Sequence, residues 1–92
     1  IHTQNIADEA IIISKVNDDV IEDPIMEKLQ RGITYWDGYG GYTGDKSKIM
    51  YTIVSKYEVP TLRRIVHEAN PQAFVVFKEG LAVNGNFVKR IE

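Results

Sequence analysis

The pattern of hydrophobic and polar positions predicts four β-strands, each a short run rich in β-branched and aromatic residues. These runs cover residues 10–16, 33–37, 48–56 and 73–78. A smaller terminal hairpin is predicted from residues 81–83 and 87–91 around Asn84-Gly85, because this dipeptide suits the tight turn that joins two antiparallel strands.

The first helix is predicted between the first and second strands. Residues 17–19, Asn-Asp-Asp, supply capping oxygens and negative charge, and apolar residues then recur at helical spacing as far as Gly32. Pro24 lies inside this pattern and cannot donate a backbone hydrogen bond. The helix therefore either kinks at Pro24 or begins there, with Asp23 as its cap.

The second helix is predicted between the third and fourth strands, where Glu58 and Pro60 form a first turn and Asn70-Pro71 ends the helix. Its apolar stripe consists of Val59, Leu62, Ile65, Val66 and Ala69. The resulting order β-α-β-β-α-β predicts a ferredoxin-like α+β fold, in which two helices cover one face of a four-stranded antiparallel sheet. Residues 1–9 are predicted to be a linker or a frayed N-terminus, and residues 10–92 a single domain.

Both faces of the predicted sheet are apolar. A sheet with water on one side normally alternates apolar and polar positions, yet the strands here carry large apolar residues at odd and even positions. The odd set is Ile11, Ile13, Tyr35, Ile49, Tyr51, Ile53, Val75 and Phe77, and the even set is Ile12, Trp36, Met50, Val54, Phe74 and Val76. Because an exposed apolar patch usually marks an interface, the pattern predicts a homo-oligomer.

Composition narrows the possible functions. The 92 residues carry a net charge of −2, which predicts no nucleic-acid binding, and the absence of cysteine excludes disulfides and thiolate chemistry. No apolar run reaches the roughly 18–20 residues that a membrane-spanning helix requires. The chain begins with Ile1 and lacks the features of a signal peptide, so we expect it to be a segment of a longer protein.

A glycine-rich segment between the second and third strands is the candidate ligand site. Successive backbone N–H groups in such a segment form a concave nest for anions where glycines adopt positive φ. The candidate ligand-binding residues are Asp37, Gly38, Gly40, Gly41, Tyr42, Thr43, Gly44, Lys46 and Lys48. The alternative is a flexible connection in which the glycines only permit turning.

Six aromatic residues lie in or near this segment in sequence: Tyr35, Trp36, Tyr39, Tyr42, Tyr51 and Tyr57. They offer rings for stacking on a base, but Trp36 and Tyr51 are favoured as packing residues of the sheet. No catalytic nucleophile and base, metal-ligand cluster or cofactor motif is present. The residues therefore predict a protein that is not an enzyme.

Three separated blocks of sequence resemble one known family in order and spacing. The blocks are RGITYWDGYGGYTG (31–44), MYTIVSKYEVPTL (50–62) and NPQAFV (70–75). They look like the C-terminal domain of unknown function of YitT-type bacterial membrane proteins, and the resemblance covers about residues 12–87.

The resemblance implies a small cytoplasmic domain attached to several transmembrane helices that are absent from this chain. It also implies a fold similar to PII-type signalling proteins, which form trimers and bind adenine nucleotides or cyclic di-AMP near the loop between their second and third strands. Here that loop corresponds to residues 38–47. It is much shorter than in PII-type proteins, and only Lys46 and Lys48 offer phosphate-binding charge.

Three functional hypotheses follow. The first is a regulatory or sensor domain that binds a small anionic, nucleotide-like ligand at the glycine-rich segment. The second is a passive oligomerisation module without a ligand. The third is a small acyl-phosphate hydrolase in which Arg31 would be required.

Overall fold

Residues 6–15 and 21–83 are described by a computed structural model, and they form one sheet with helical segments. The strands are β1 (Ile6–Ser14), β2 (Thr34–Tyr39), β3 (Lys46–Val54) and β4 (Phe74–Ala82). The short helix α1 (Glu22–Pro24) continues as a π-helical turn (Ile25–Leu29), and a 3₁₀ turn (Lys56–Glu58) leads into α2 (Val59–Ala69). This element order confirms the predicted β-α-β-β-α-β arrangement.

The sheet has the strand order β2-β3-β1-β4, and every neighbouring pair is antiparallel. β1 is one of the two inner strands: Ile12 lies opposite Met50 of β3 on one side and opposite Val75 of β4 on the other. This order is that of a ferredoxin-like sheet, as the sequence predicted.

The core lies between the helices and one face of the sheet. Ala10 and Ile12 of β1 and Met50 and Val54 of β3 are buried on this face. The helical side of the core consists of Ile21, Ile25, Leu29, Leu62, Ile65 and Val66. Because side chains alternate between the two faces of a strand, the odd-numbered residues of β1 and β3 point away from the helices.

The first helix differs from its prediction at both ends. Its N-cap is Ile21, while the predicted capping residues 17–19 lie outside the described residues. Pro24 is the third helical residue, so it lies in the first turn, where its missing N–H has no helical partner to lose. The π-helical turn ends at Gln30, which adopts the left-handed conformation at φ 57°, and not at Gly32.

The second helix agrees with its prediction. Ser55 and Glu58 form a capping box, in which each side chain accepts a hydrogen bond from the backbone N–H of the other residue. Pro60 occupies the first turn of α2, and Asn70 leaves the helical conformation at its C-terminal end. None of the helices in the described part of the chain is long and apolar enough to cross a membrane.

β1 begins at Ile6, four residues earlier than predicted, so the sheet includes residues that the sequence assigned to a linker. Ala7 pairs with Leu81, and β4 has one more residue than β1 between this pair and the pair Glu9–Lys78. The extra residue forms a β-bulge. Leu81 therefore extends β4. The turn and the partner strand 87–91 of the predicted terminal hairpin lie outside the described residues.

The bulge depends on Gly80, which has φ 75°. Its N–H donates to Oδ1 of the buried Asp8 at 3.4 Å, and a Cβ added at Gly80 would meet no atom within 4 Å. Backbone conformation, not space, therefore requires glycine at this position.

We predict that Gly80→Ala lowers the free energy of unfolding by about 1 kcal/mol, because an L-residue is strained at positive φ. Gly32→Ala is the matched control, since its Cβ would also meet no atom within 4 Å and Gly32 lacks a positive φ. Urea denaturation of the two variants measures the difference. Equal stability of the two variants would show that the bulge conformation imposes no strain.

Candidate functional site

The glycine-rich connection between β2 and β3 is a turn closed by its own hydrogen bonds. The N–H of Gly40 donates to the carbonyl oxygen of Asp45 at 2.8 Å, and the N–H of Gly44 donates to the carbonyl oxygen of Gly40 at 2.8 Å. The N–H of Asp45 donates to Oγ1 of Thr43 at 3.2 Å. Within the described part of the chain, the N–H groups of the three residues between Gly40 and Gly44 have no hydrogen-bond partner.

Among the glycines of this turn, Gly44 has a positive φ of 76°. Gly40 and Gly41 belong to the candidate anion nest, but neither has a positive φ. The turn closes through the hydrogen bonds of Gly40 and Gly44, so a single left-handed residue is enough to reverse the chain. Tyr42 lies at the tip of the turn and is fully exposed.

The two lysines of the candidate site lie in different environments. Lys46 is exposed, and its Nζ lies 3.5 Å from Oδ2 of Asp37, which belongs to the same candidate set. Lys48 is buried on the helix-covered face, where its ammonium group donates to Oε2 of Glu22. The centroid of the Tyr35 ring lies 4.5 Å from Nζ of Lys48.

The pair Lys48–Glu22 therefore joins the helical segment after β1 to the sheet. Oε1 of Glu22 is buried without a hydrogen-bond partner among the described residues. An ion pair with so little water around it depends on both partners, since removing one leaves a charge buried alone. The structure thus gives Lys48 a packing role, and it brings Lys46 together with Asp37.

The face of the sheet opposite the helices, here called the open face, is apolar. Its three most exposed large apolar side chains are Trp36 (46%), Phe74 (59%) and Val76 (51%). Half-buried residues of the two inner strands lie between them, namely Ile11, Ile13, Ile49, Tyr51 and Ile53. The strand pairs Trp36–Ile49, Ile49–Ile13 and Ile13–Phe74 form one apolar row across all four strands.

One hydrogen bond places a carboxylate beside this apolar row. The hydroxyl of Tyr51 donates to Oε2 of Glu9, and this bond, with burial and the nearby negative charge, raises the pKa of Tyr51 above its usual 10.0. Glu9 also lies opposite Lys78 of β4, so acidic and basic side chains adjoin one end of the open face.

The aromatic residues that the sequence placed near the glycine-rich segment do not lie together in one cluster. Tyr39 is exposed at the end of β2, and Tyr57 is exposed in the 3₁₀ turn before α2. Trp36 and Tyr51 belong to the open face, as their preference for packing positions suggested.

Sequence reasoning missed Glu9 and Glu22. Glu9 shares its parity with Ile11 and Ile13, so the alternation of β1 contains a signal for a charged residue on the open face. Glu22 offers no such signal, because its contact with Lys48 joins residues 26 positions apart.

Residues 31–85 match the family described as "Uncharacterized protein conserved in bacteria (DUF2179)". The chain belongs to this family. The matched segment contains the glycine-rich turn, β3, α2 and β4, so the family signature covers the elements that form most of the open face.

The curated relatives include several membrane proteins of Bacillus subtilis. The chain is 33% identical over 89 residues to UPF0750 membrane protein YitT, a match that covers 97% of this chain and 31% of that protein. It is 36% identical over 70 residues to UPF0750 membrane protein YpjC, covering 76% of this chain and 24% of that protein. The chain thus spans about a third or less of the length of these relatives.

Solved structures share the fold at low sequence identity. A DUF2179 protein from Eubacterium ventriosum has a TM-score of 0.61 and 20% identity, covering 77% of this chain and 97% of that chain. A functionally unknown protein from Pediococcus pentosaceus has a TM-score of 0.72 and 13% identity, covering 89% of this chain and 99% of that chain. These likenesses support the fold.

We predict that Lys48→Met lowers the free energy of unfolding by about 3 kcal/mol, because it leaves the carboxylate of Glu22 buried without its cation. Lys46→Met is the matched control and should cost less than about 1 kcal/mol, since the pair of Lys46 with Asp37 is exposed. The double variant Lys48→Met/Glu22→Leu should recover most of the loss. Urea denaturation with circular dichroism measures all three, and full stability of Lys48→Met alone would contradict a packing role.

Proposed function

We propose that this chain is a cytoplasmic regulatory domain of a bacterial membrane protein and that it brings copies of that protein together through its open face. Two observations support the proposal: the membrane proteins among its relatives, and the apolar face that the helices leave uncovered. The second observation carries the assembly role.

The size of the open face favours weak association. Trp36, Phe74 and Val76 together expose roughly 300 Å² of side-chain surface, on the basis of their exposed fractions and ordinary side-chain areas. A stable interface between two free proteins buries about 800 Å² on each partner. The partly buried isoleucines between them add area, but isolated domains should meet weakly.

Attachment to a membrane compensates for weak association, because tethered partners meet at a high effective concentration. A contact that is marginal between free domains is then sufficient between membrane-bound copies. We propose a closed trimer with the sheets facing inward and the helices outside, by analogy with PII-type proteins. A dimer that pairs two open faces is the alternative geometry.

The proposal predicts that the purified chain self-associates as its concentration rises from low to high micromolar, with a limiting mass about three times that of one chain. Phe74→Glu and Val76→Glu should each keep the chain monomeric, because each places a charge in the apolar contact. Tyr57→Glu is the matched control, since Tyr57 is an exposed aromatic residue outside the open face. Sedimentation velocity measures the mass.

Two outcomes would contradict the assembly role. The first is a chain that stays monomeric at high micromolar concentration. The second is association that persists unchanged in Phe74→Glu and Val76→Glu.

A second candidate function is the sensing of a small anionic ligand at the glycine-rich turn. The observation that favours it is the group of three exposed N–H donors between Gly40 and Gly44, with the ring of Tyr42 beside them. Lys46 adds charge at this end of the hairpin, although Asp37 partly neutralises it. This function is compatible with assembly, since the turn lies beyond the strands.

Binding at the turn predicts a rise in melting temperature with ATP, ADP, cyclic di-AMP or inorganic phosphate, because a ligand that binds only the folded chain stabilises it by mass action. A ligand present at 100 times its Kd contributes about 2.7 kcal/mol. Lys46→Gln should weaken the effect, whereas Tyr57→Ala should leave it unchanged. No shift with any of the four compounds would remove this candidate in favour of assembly alone.

An enzymatic role has less support from the contacts. Nε of Arg31 lies 3.0 Å from Oε1 of Glu58, and both side chains are about nine-tenths buried. Glu58 also accepts the N–H of Ser55, so Arg31 helps to hold the start of α2. We therefore propose a function without catalysis, in which Arg31 is structural.

A further inference from the structure

A groove of about 590 Å³ lies at the end of the open face, next to the glycine-rich turn. It is lined by Ile13, Lys15, Ser47, Asn70, Gln72 and Phe74. Its volume lies in the range of pockets that hold small organic ligands, about 300–1,000 Å³. Sequence reasoning did not single out this place, because its walls come from three separate segments of the chain.

The apolar wall of the groove is formed by two residues of the open face. Ile13 and Phe74 are directly paired between β1 and β4, and the ring of Phe74 is more than half exposed. A flat ring of a ligand can stack on such a side chain, and stacking of this kind is tolerant of the ring's identity.

The polar wall has donors and acceptors that are available to a ligand. Within the described residues, the hydroxyl of Ser47 and the side-chain amide of Gln72 have no hydrogen-bond partner. Asn70 is already engaged: its Nδ2 donates to Oγ of Ser14 at 2.9 Å, and its Oδ1 accepts the N–H of Gln72 at 3.1 Å. Asn70 thus fixes the wall, and Ser47 and Gln72 face an incoming ligand.

Lys15 supplies the charge of the groove. Its Nζ lies 3.3 Å from Oδ2 of Asp45, but both side chains are more than half exposed. Exposed pairs of this kind contribute little, so a ligand anion can replace Asp45 at small cost. Asp45 is also the last residue of the glycine-rich turn, and its carbonyl oxygen accepts the N–H of Gly40.

We infer that this groove binds a small ligand that combines a flat aromatic ring with an anionic group. The ring lies against Phe74 and Ile13, the anion lies at Lys15, and Ser47 and Gln72 bond to polar edges of the ring. This inference rests on the ligand-sensing part of the proposed function, and it moves the site from the tip of the turn to the groove at its base.

The test is a titration of the full chain with AMP, followed by two-dimensional amide NMR at a concentration where the chain is monomeric. AMP carries both a ring and an anion, while adenosine and inorganic phosphate each carry one of them. We expect saturable shifts at Ser47, Gln72 and the neighbours of Phe74, with an affinity for AMP at least tenfold higher than for either single part.

Variants separate the groove from the turn. Lys15→Gln and Phe74→Leu should each weaken AMP binding at least fivefold, and the leucine keeps an apolar side chain while it removes the ring. Lys46→Gln is the matched control and should change the affinity less than twofold. The amide spectrum of each variant reports whether the fold is intact.

Three results would overturn the inference. The first is AMP binding that Lys46→Gln weakens and Lys15→Gln does not, with shifts confined to residues 40–44; this result would keep the proposed sensing at the turn. The second is binding of phosphate alone with the affinity of AMP. The third is the absence of binding of AMP, adenosine and phosphate. That result would not affect the assembly role, which sedimentation velocity tests separately.

Discussion

The position of β1 between β3 and β4 is the constraint on which the rest of the structure depends. Both ladders of β1 are antiparallel, and residues 9–13 each have a partner on either side. Ile12 consequently reaches the helices, and Ile11 and Ile13 reach the open face. A shift of one residue in either ladder would exchange the two sets. Because both sets are apolar, a register shift costs less burial free energy here than in a sheet with one apolar and one polar face. Polar contacts at the strand ends, such as that between Asp8 and Gly80, favour the observed register.

Charged pairs complete the attachment of the helical segments. The first helical segment is short, and a few turns of helix have little stability of their own. Ile25 and Leu29 pack its core-facing side against the hydrophobic core. The buried pair Glu22–Lys48 attaches its N-terminal end to β3. Burying two charges is costly, and such a pair fixes a position more than it adds stability. The pair defines where the helical segment sits on the sheet.

Local patterns predicted most of the fold and less of the candidate site. The stripe and caps of α2 are encoded within a few neighbouring residues, and the structure reproduces them. The start of β1 at Ile6 was missed because it depends on pairing with β4 across the whole chain.

The single positive φ at Gly44 was not separable from its neighbours, because all the glycines of the turn permit that conformation. The burial of Lys48 was missed for a similar reason, since its partner is distant in sequence. The apolar open face was predicted, because alternation in strands is a local property.

Phe74 belongs both to the open face and to the wall of the groove. With assembly through the open face and a ligand in the inferred groove, the ligand ring and a second copy of the chain cannot both contact the same surface of Phe74. Two binding events that exclude each other are thermodynamically linked, and each weakens the other by the same factor. A single aromatic side chain would then convert ligand concentration into a change of oligomeric state, without any rearrangement of the strands. Such a domain would respond to its ligand by competition.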